Sequence, residues 1–141
     1  RDIDFEQDTQ AEYVSLEELM VQSDFVSVHV PLTEETRHML DYELMSKMKS
    51  NAILVNTARG PVVKEEDLIR ILQEKKIYGA GLDVFEFEPH VPEELLKMDN
   101  VVLLPHIGSS SMETRTAMAE LAANNLIAVL NGESPITPVN V

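Results

Sequence analysis

Four short apolar runs, residues 25–30, 51–56, 77–84 and 101–104, alternate with stretches of helical character. This alternation constrains the fold more than any other feature of the chain. Each run is too short for a stable helix and most are rich in Val, Ile and Leu, as buried strands are. Pro31 and Pro105 follow the first and last runs; neither can donate to a ladder, so pairing stops there. Between the second and third runs, Leu68, Ile71 and Leu72 recur at helical spacing, with Glu65, Glu66, Arg70 and Glu74 expected to face out. Strands separated by helices predict a parallel α/β sheet with crossover connections.

The rest of the chain supplies the punctuation. Residues 1–10 are polar and aperiodic and read as a solvated connection, and residues 11–14 as a short strand. Ser15 followed by Glu18 has capping-box spacing and opens a helix through about Gln22. Asp41 can cap a helix through about Lys49; residues 57–61 and 85–92 read as loops and 93–98 as a short helix. Ser110 with Glu113 has the same capping spacing and opens a helix of about 20 residues ending at Asn131, where Gly132 stops it. Its Ala117, Ala119, Ala122, Ala123 and Ala128 permit close packing. Residues 133–141, with Pro135 and Pro138, read as an extended tail. Gly79-Ala80-Gly81 inside a strand predicts close approach of another backbone or of a ligand.

Charge and composition narrow the partners. A formal net charge of -14 repels phosphate backbones and anionic lipid surfaces, which argues against nucleic acid and membrane partners. No cysteine is present, so there is no disulfide, thiolate nucleophile or thiolate metal site, as suits a reducing cytoplasm. No apolar run approaches the roughly 20 residues of a membrane span.

Parallel strands deliver their carboxyl ends to one edge of the sheet, where ligands bind in open α/β folds. The loops after Asn56, Val84 and Leu104 supply Arg59, Glu88 and His106 to that edge. A guanidinium, a carboxylate and an imidazole suit redox chemistry on an anionic carbonyl compound. Arg59 would grip a carboxylate in two-point fashion. His106 would give a proton to the keto oxygen as hydride reaches the carbon. Glu88 would orient the ring and favour its protonated form. His29 reads as a core residue within a strand, and His38 and His90 as exposed residues outside this site. No His/Asp/Glu set has metal-ligand spacing.

Asn56-Thr57-Ala58-Arg59-Gly60, the segment from Gly81 to Pro89 (GLDVFEFEP) and Leu104-Pro105-His106-Ile107-Gly108-Ser109 resemble the three signature segments of the D-isomer-specific 2-hydroxyacid dehydrogenases. Val28-His29-Val30-Pro31-Leu32-Thr33 with Thr36 is similar to a fourth. The resemblance covers nearly the whole chain, and its wording is nearest the glyoxylate and hydroxypyruvate reductases. It implies a Rossmann-type doubly wound sheet, with residues 1–132 as the C-terminal portion of an NAD(P)-binding domain and 133–141 leading toward a substrate domain. It implies Arg59 as the substrate-carboxylate residue, Glu88 as partner carboxylate and His106 as acid/base. Thr57, Ala58 and Arg59 would line the nicotinamide side of NAD or NADP, Asp83 would bind its carboxamide, and the turn from His106 to Gly108 would touch it. Val30 and Pro31 would lie near the adenosine. The substrate implied is a small 2-keto or 2-hydroxy acid, and the assembly a homodimer or a self-associating chain. The same resemblance leaves open a phosphoglycerate dehydrogenase-like enzyme and a dinucleotide-dependent binding module of the corepressor type.

A G-x-G-x-x-G turn, which receives a dinucleotide pyrophosphate, is absent from a chain with five glycines. Set against the family, the chain starts after the second strand of the cofactor domain, with Arg1 near the segment that separates NAD from NADP. The expectation is therefore a fragment that binds cofactor poorly and is inactive alone.

Overall fold

A computed structural model describes residues 3–139; Arg1, placed near the cofactor-choosing segment, lies outside the described residues. The chain divides into two compact units, Arg1–His106 and Ile107–Val141.

The first unit is built on a four-stranded parallel sheet of β1 (Phe25–Val28), β2 (Ile53–Asn56), β3 (Gly79–Leu82) and β4 (Val101–Leu103), in sequential order. Its helices are α1 (Ile3–Thr9), α2 (Leu16–Gln22), α3 (Tyr42–Met45), α4 (Glu65–Gln73) and α5 (Glu93–Leu96). The register aligns Val26 with Leu54, Leu54 with Ala80 and Ala80 with Val101, so these residues share one face. Right-handed crossovers in an order that runs one way place their helices on one face of the sheet. Burial follows that rule: Val26, Val28, Leu54, Asn56, Ala80 and Leu82 are buried, whereas Phe25 and Val102 on the other face are exposed. The fold is α/β and Rossmann-like, with the strand arrangement of one half of a doubly wound sheet.

Local signals explain most of the elements. Ser15 and Glu18 form the capping box, Glu18 N–H donating to Ser15 Oγ at 3.2 Å and Ser15 N–H to Glu18 Oε2 at 3.0 Å. Asp41 Oδ1 accepts from Leu44 N–H at 2.9 Å. The small strand residues predicted a close approach, and a Cβ on Gly79 would run into the Asn100 carbonyl.

Several expectations need correction. Residues 3–9 are helical as α1, not a connection, and residues 11–14 form no strand. The helix capped by Asp41 stops at Met45, because Lys47 and Met48 N–H groups bond back only three residues and tighten the chain. His29 is exposed beyond the end of β1, and its Nε2 meets Ser27 Oγ at 2.8 Å. Glu65 does not face out: it is buried against residue 86. Residues 60–62 form a 3-10 turn.

The second unit consists of α6 (Met112–Leu130) and the segment after it. The N-cap is Ser111, whose Oγ accepts from Thr114 N–H at 3.2 Å, so the predicted Ser110/Glu113 box is displaced by one residue. Gly132 stops the helix as expected, at φ 79. Glu133 N–H donates to Ala128 O at 2.9 Å and Gly132 N–H to Val129 O at 3.0 Å, the paired bonds of a Schellman cap. The following segment doubles back: Thr137 N–H donates to Asn125 Oδ1 at 3.0 Å. Among the described residues no helix is long and apolar enough to cross a membrane.

Candidate active site

Asn56 ends β2 fully buried, and its amide organises the loop that follows. Ala58 N–H donates to Asn56 Oδ1 and Asn56 Nδ2 donates to Arg59 O, both at 3.1 Å, an Asx-type turn around residues 57–59. Arg59 emerges exposed from that turn, with Nη1 donating to Ala58 O at 2.6 Å. Gly60 then packs directly on the Phe85–Glu86 peptide, where no Cβ fits. The Arg59 loop and the loop after β3 are thereby in backbone contact.

Asp83 is buried just beyond β3, its N–H donating to Asn56 O at 3.0 Å. Five residues on, Glu88 Oε1 accepts from Phe85 N–H at 3.0 Å. Its other oxygen, Oε2, lies 2.8 Å from His106 Nδ1. His106 sits past β4 with φ 55, a left-handed conformation that costs a non-glycine residue about 1–3 kcal/mol and is concentrated at functional sites. The sheet thus brings together two side chains 18 positions apart. The hydrogen bond from His106 is the largest influence holding the Glu88 carboxyl below its usual range. The Phe85 N–H and the positive charges of His106 and Arg59 act in the same sense, against partial burial. An ionised carboxylate only accepts, so Nδ1 is the donor and Nε2 is the ring nitrogen not engaged by Glu88.

This arrangement carries a pH expectation. Because the folded Glu88 value lies below the unfolded one, the stabilisation is complete above the unfolded pKa and is lost as pH drops through the folded value. The pair should survive acidification through the ordinary glutamate range and break only beneath it. A side-chain carboxyl NMR titration of Glu88 with the midpoint of a free glutamate peptide would contradict this.

Between the carboxyl ends of β1 and β2 lies an open cleft of about 520 Å³, lined by residues 29–32 and 57–59. Val30, Pro31, Thr57, Ala58 and Arg59 therefore share one cavity. Its β1 side is fixed by Thr36, whose Oγ1 donates to Pro31 O at 2.7 Å and accepts from Thr33 N–H at 2.8 Å. Gly108 belongs to the second unit. His38 is not the free exposed residue expected: its Nε2 is 2.7 Å from Glu86 Oε1. Sequence reasoning missed the turn-forming role of the Asn56 side chain and the linked set of Glu65, Glu86 and His38. Asn56 was detectable, since an Asn closing an apolar run is a turn former. Among the described residues, no group of three or more His, Asp or Glu is placed to hold a metal ion.

A parallel sheet with a cleft, a cation and a His–carboxylate pair on its carboxyl edge defines a nucleotide-binding domain of the dehydrogenase type. The chain belongs to the D-isomer-specific 2-hydroxyacid dehydrogenase family: residues 1–108 match the model of that family's NAD-binding domain. It is 57% identical over 138 residues to a glyoxylate reductase of Korarchaeum cryptofilum, covering 97% of this chain and 42% of the relative. A holo form of Rhodotorula graminis D-mandelate dehydrogenase superposes with TM-score 0.92 at 42% identity, over 100% of this chain and 41% of that one. An NADPH-dependent glyoxylate/hydroxypyruvate reductase of Sinorhizobium meliloti, solved with NADP and malonate, gives TM-score 0.85 at 42% identity over 89% and 39%. The chain thus spans about two-fifths of the length of the proteins it matches.

Proposed function

We propose that this chain supplies the acid–base and cofactor-facing half of a reductase that converts a small 2-keto acid, glyoxylate or hydroxypyruvate first, to its 2-hydroxy acid. The observation that supports it most is the 2.8 Å contact between Glu88 Oε2 and His106 Nδ1, on a carboxylate that also feels the charge of Arg59. The relatives named glyoxylate reductase support the substrate class.

The open cleft lined by Val30, Pro31, Thr57 and Ala58 suits a nicotinamide dinucleotide, because it lies at the carboxyl ends of β1 and β2, where α/β sheets bind such ligands. Val30 and Pro31 would face the adenosine and Thr57 and Ala58 the nicotinamide, with Asp83 on the carboxamide and His106 beside it. NAD or NADP, when bound, supplies the hydride that reaches the keto carbon. Arg59 binds the substrate carboxylate bidentately and draws electron density toward the keto oxygen. His106, protonated, donates from Nε2 to that oxygen as the new C–H bond forms, which leaves a neutral ring and a 2-hydroxy acid. Glu88 holds the ring by Nδ1 and compensates its charge while it is cationic. The reverse oxidation uses the same groups in the opposite order.

The companion readings are a cytoplasmic location, in keeping with the cysteine-free sequence, and a homodimer. The exposed Leu121, Leu126, Ile127 and Leu130 of α6 support burial against a further surface. The deciding experiment follows consumption of NADH and of NADPH by the protein carrying this chain, with glyoxylate and hydroxypyruvate as oxidants. Turnover with either pair is expected; none with any combination would overturn the proposal.

A further inference from the structure

On the opposite side of the Glu88 loop, three titratable side chains are tied to one another. Glu86 Oε2 accepts from Glu65 N–H at 3.2 Å, and Glu65 Oε1 accepts from Glu86 N–H at 3.1 Å. The two residues clasp reciprocally at the first turn of α4, where helix N–H groups lack internal partners and favour negative charge. Glu86 Oε1 takes a third bond, from His38 Nε2 at 2.7 Å. His38 is itself fixed, with φ 54 and its N–H donating to Pro61 O at 2.7 Å. Beyond it, Leu40 N–H donates to Val62 O at 3.2 Å and Lys64 N–H to Leu40 O at 2.9 Å.

Three segments are therefore laced together: residues 38–40, residues 61–65 that continue the Arg59 loop, and residues 85–88 that end in Glu88. Lys64, Glu66 and His90 are the other charged or titratable groups around the 370 Å³ cavity beside this lace. The Glu86 side chain is 12% exposed, far less than the 36% of Glu88, so its bonds are better shielded from water. Glu88 follows Glu86 by two residues, a reach of about 7 Å at most. Its own carboxylate is held by the Phe85 N–H and by His106.

We propose that Glu86 is a positioning residue: clasped by Glu65 and His38, it fixes residues 85–88 so that Glu88 meets His106 Nδ1. The proposal rests on the reading of Glu88 and His106 as the acid–base pair. It follows that the lace also couples that pair to the Arg59 loop, since residues 61–65 belong to both.

Ring nitrogen NMR on the full chain tests this, because the four histidines allow assignment by single substitution. In the parent protein the neutral His106 ring should be held as the Nδ1–H tautomer, and Glu88→Ala, which removes the acceptor, should release it toward Nε2–H. Glu86→Ala should move the tautomer ratio more than half of the way to the Glu88→Ala value. Glu86→Gln, which can still accept from Glu65 N–H and meet His38, should restore the parent ratio. A purely stabilising role for Glu86 would lower the melting temperature and leave the tautomer unchanged, and that outcome overturns the proposal. Should Glu86→Ala not fold, His38→Asn, tolerated at positive φ, is read the same way: a shift in the same direction is expected, and an unchanged spectrum overturns it. Glu88→Ala with the parent tautomer would instead overturn the pairing itself, so the two failures are told apart.

Discussion

His106→Asn is expected to lower kcat by about 10²–10⁴-fold in the proposed reductase reaction, with KM changed by little. Asparagine is the informative replacement for two reasons. His106 occupies φ 55, where Asn is tolerated and most other residues are strained. Its amide nitrogen can also donate to Glu88 Oε2, so the 2.8 Å contact and the loop around it are retained. What is lost is the second ring nitrogen and with it the proton for the keto oxygen. In the proposed mechanism substrate binding stays with Arg59, which is why the loss should fall on kcat. By the same division, Arg59→Lys should raise KM more than it lowers kcat, because a point charge replaces a bidentate fork. Steady-state kinetics of the two variants side by side check the assignment. A His106→Asn enzyme within tenfold of the parent kcat would remove the imidazole from the chemistry.

The parts of this site that depend on strand order were legible in the sequence, and those that depend on loop packing were not. Short apolar runs ended by Pro31 and Pro105, with helical periodicity between them, suffice for a parallel sheet. A parallel sheet alone puts the loops bearing Arg59, Glu88 and His106 on one edge. Nothing in that logic says which way a loop side chain turns. Glu65 looked solvent-facing from the periodicity of α4, yet it is buried because its helix position points at a neighbouring N–H of residue 86. His38 looked exposed because its segment is polar; its ring is drawn to Glu86 across 48 positions. His29 failed in the opposite direction. An apolar run suggested a longer β1, but the strand ends at Val28 and the ring turns back to Ser27. Residues 3–9 were misjudged because their helix lacks the apolar stripe on which periodicity reasoning depends.

Gly60→Ala is expected to lower kcat/KM by about 10²-fold although it replaces none of the side chains of the proposed chemistry. A Cβ at this position would overlap the Phe85 carbonyl group and the Glu86 nitrogen. All of these are backbone atoms, so no flexible side-chain end can swing aside. Relief requires the 57–62 segment and the 85–88 segment to part, by about 1 Å or more, and that order of misplacement costs about 10² in rate when it separates reacting groups. The first segment carries Arg59 and the second carries Glu88, so the same displacement pulls the substrate anchor away from the acid–base pair. Overpacking of this kind also costs about 1–3 kcal/mol of stability, and denaturant unfolding measured beside the kinetics separates the two effects. If the lace of His38, Glu65 and Glu86 holds the second segment, the first must yield, and the damage should appear chiefly as a raised KM from a displaced Arg59. If instead the loop after β3 yields, Glu88 leaves His106 and kcat falls. A Gly60→Ala enzyme that is folded and keeps the parent kcat/KM would show that the contact between these loops does not set the geometry of the site.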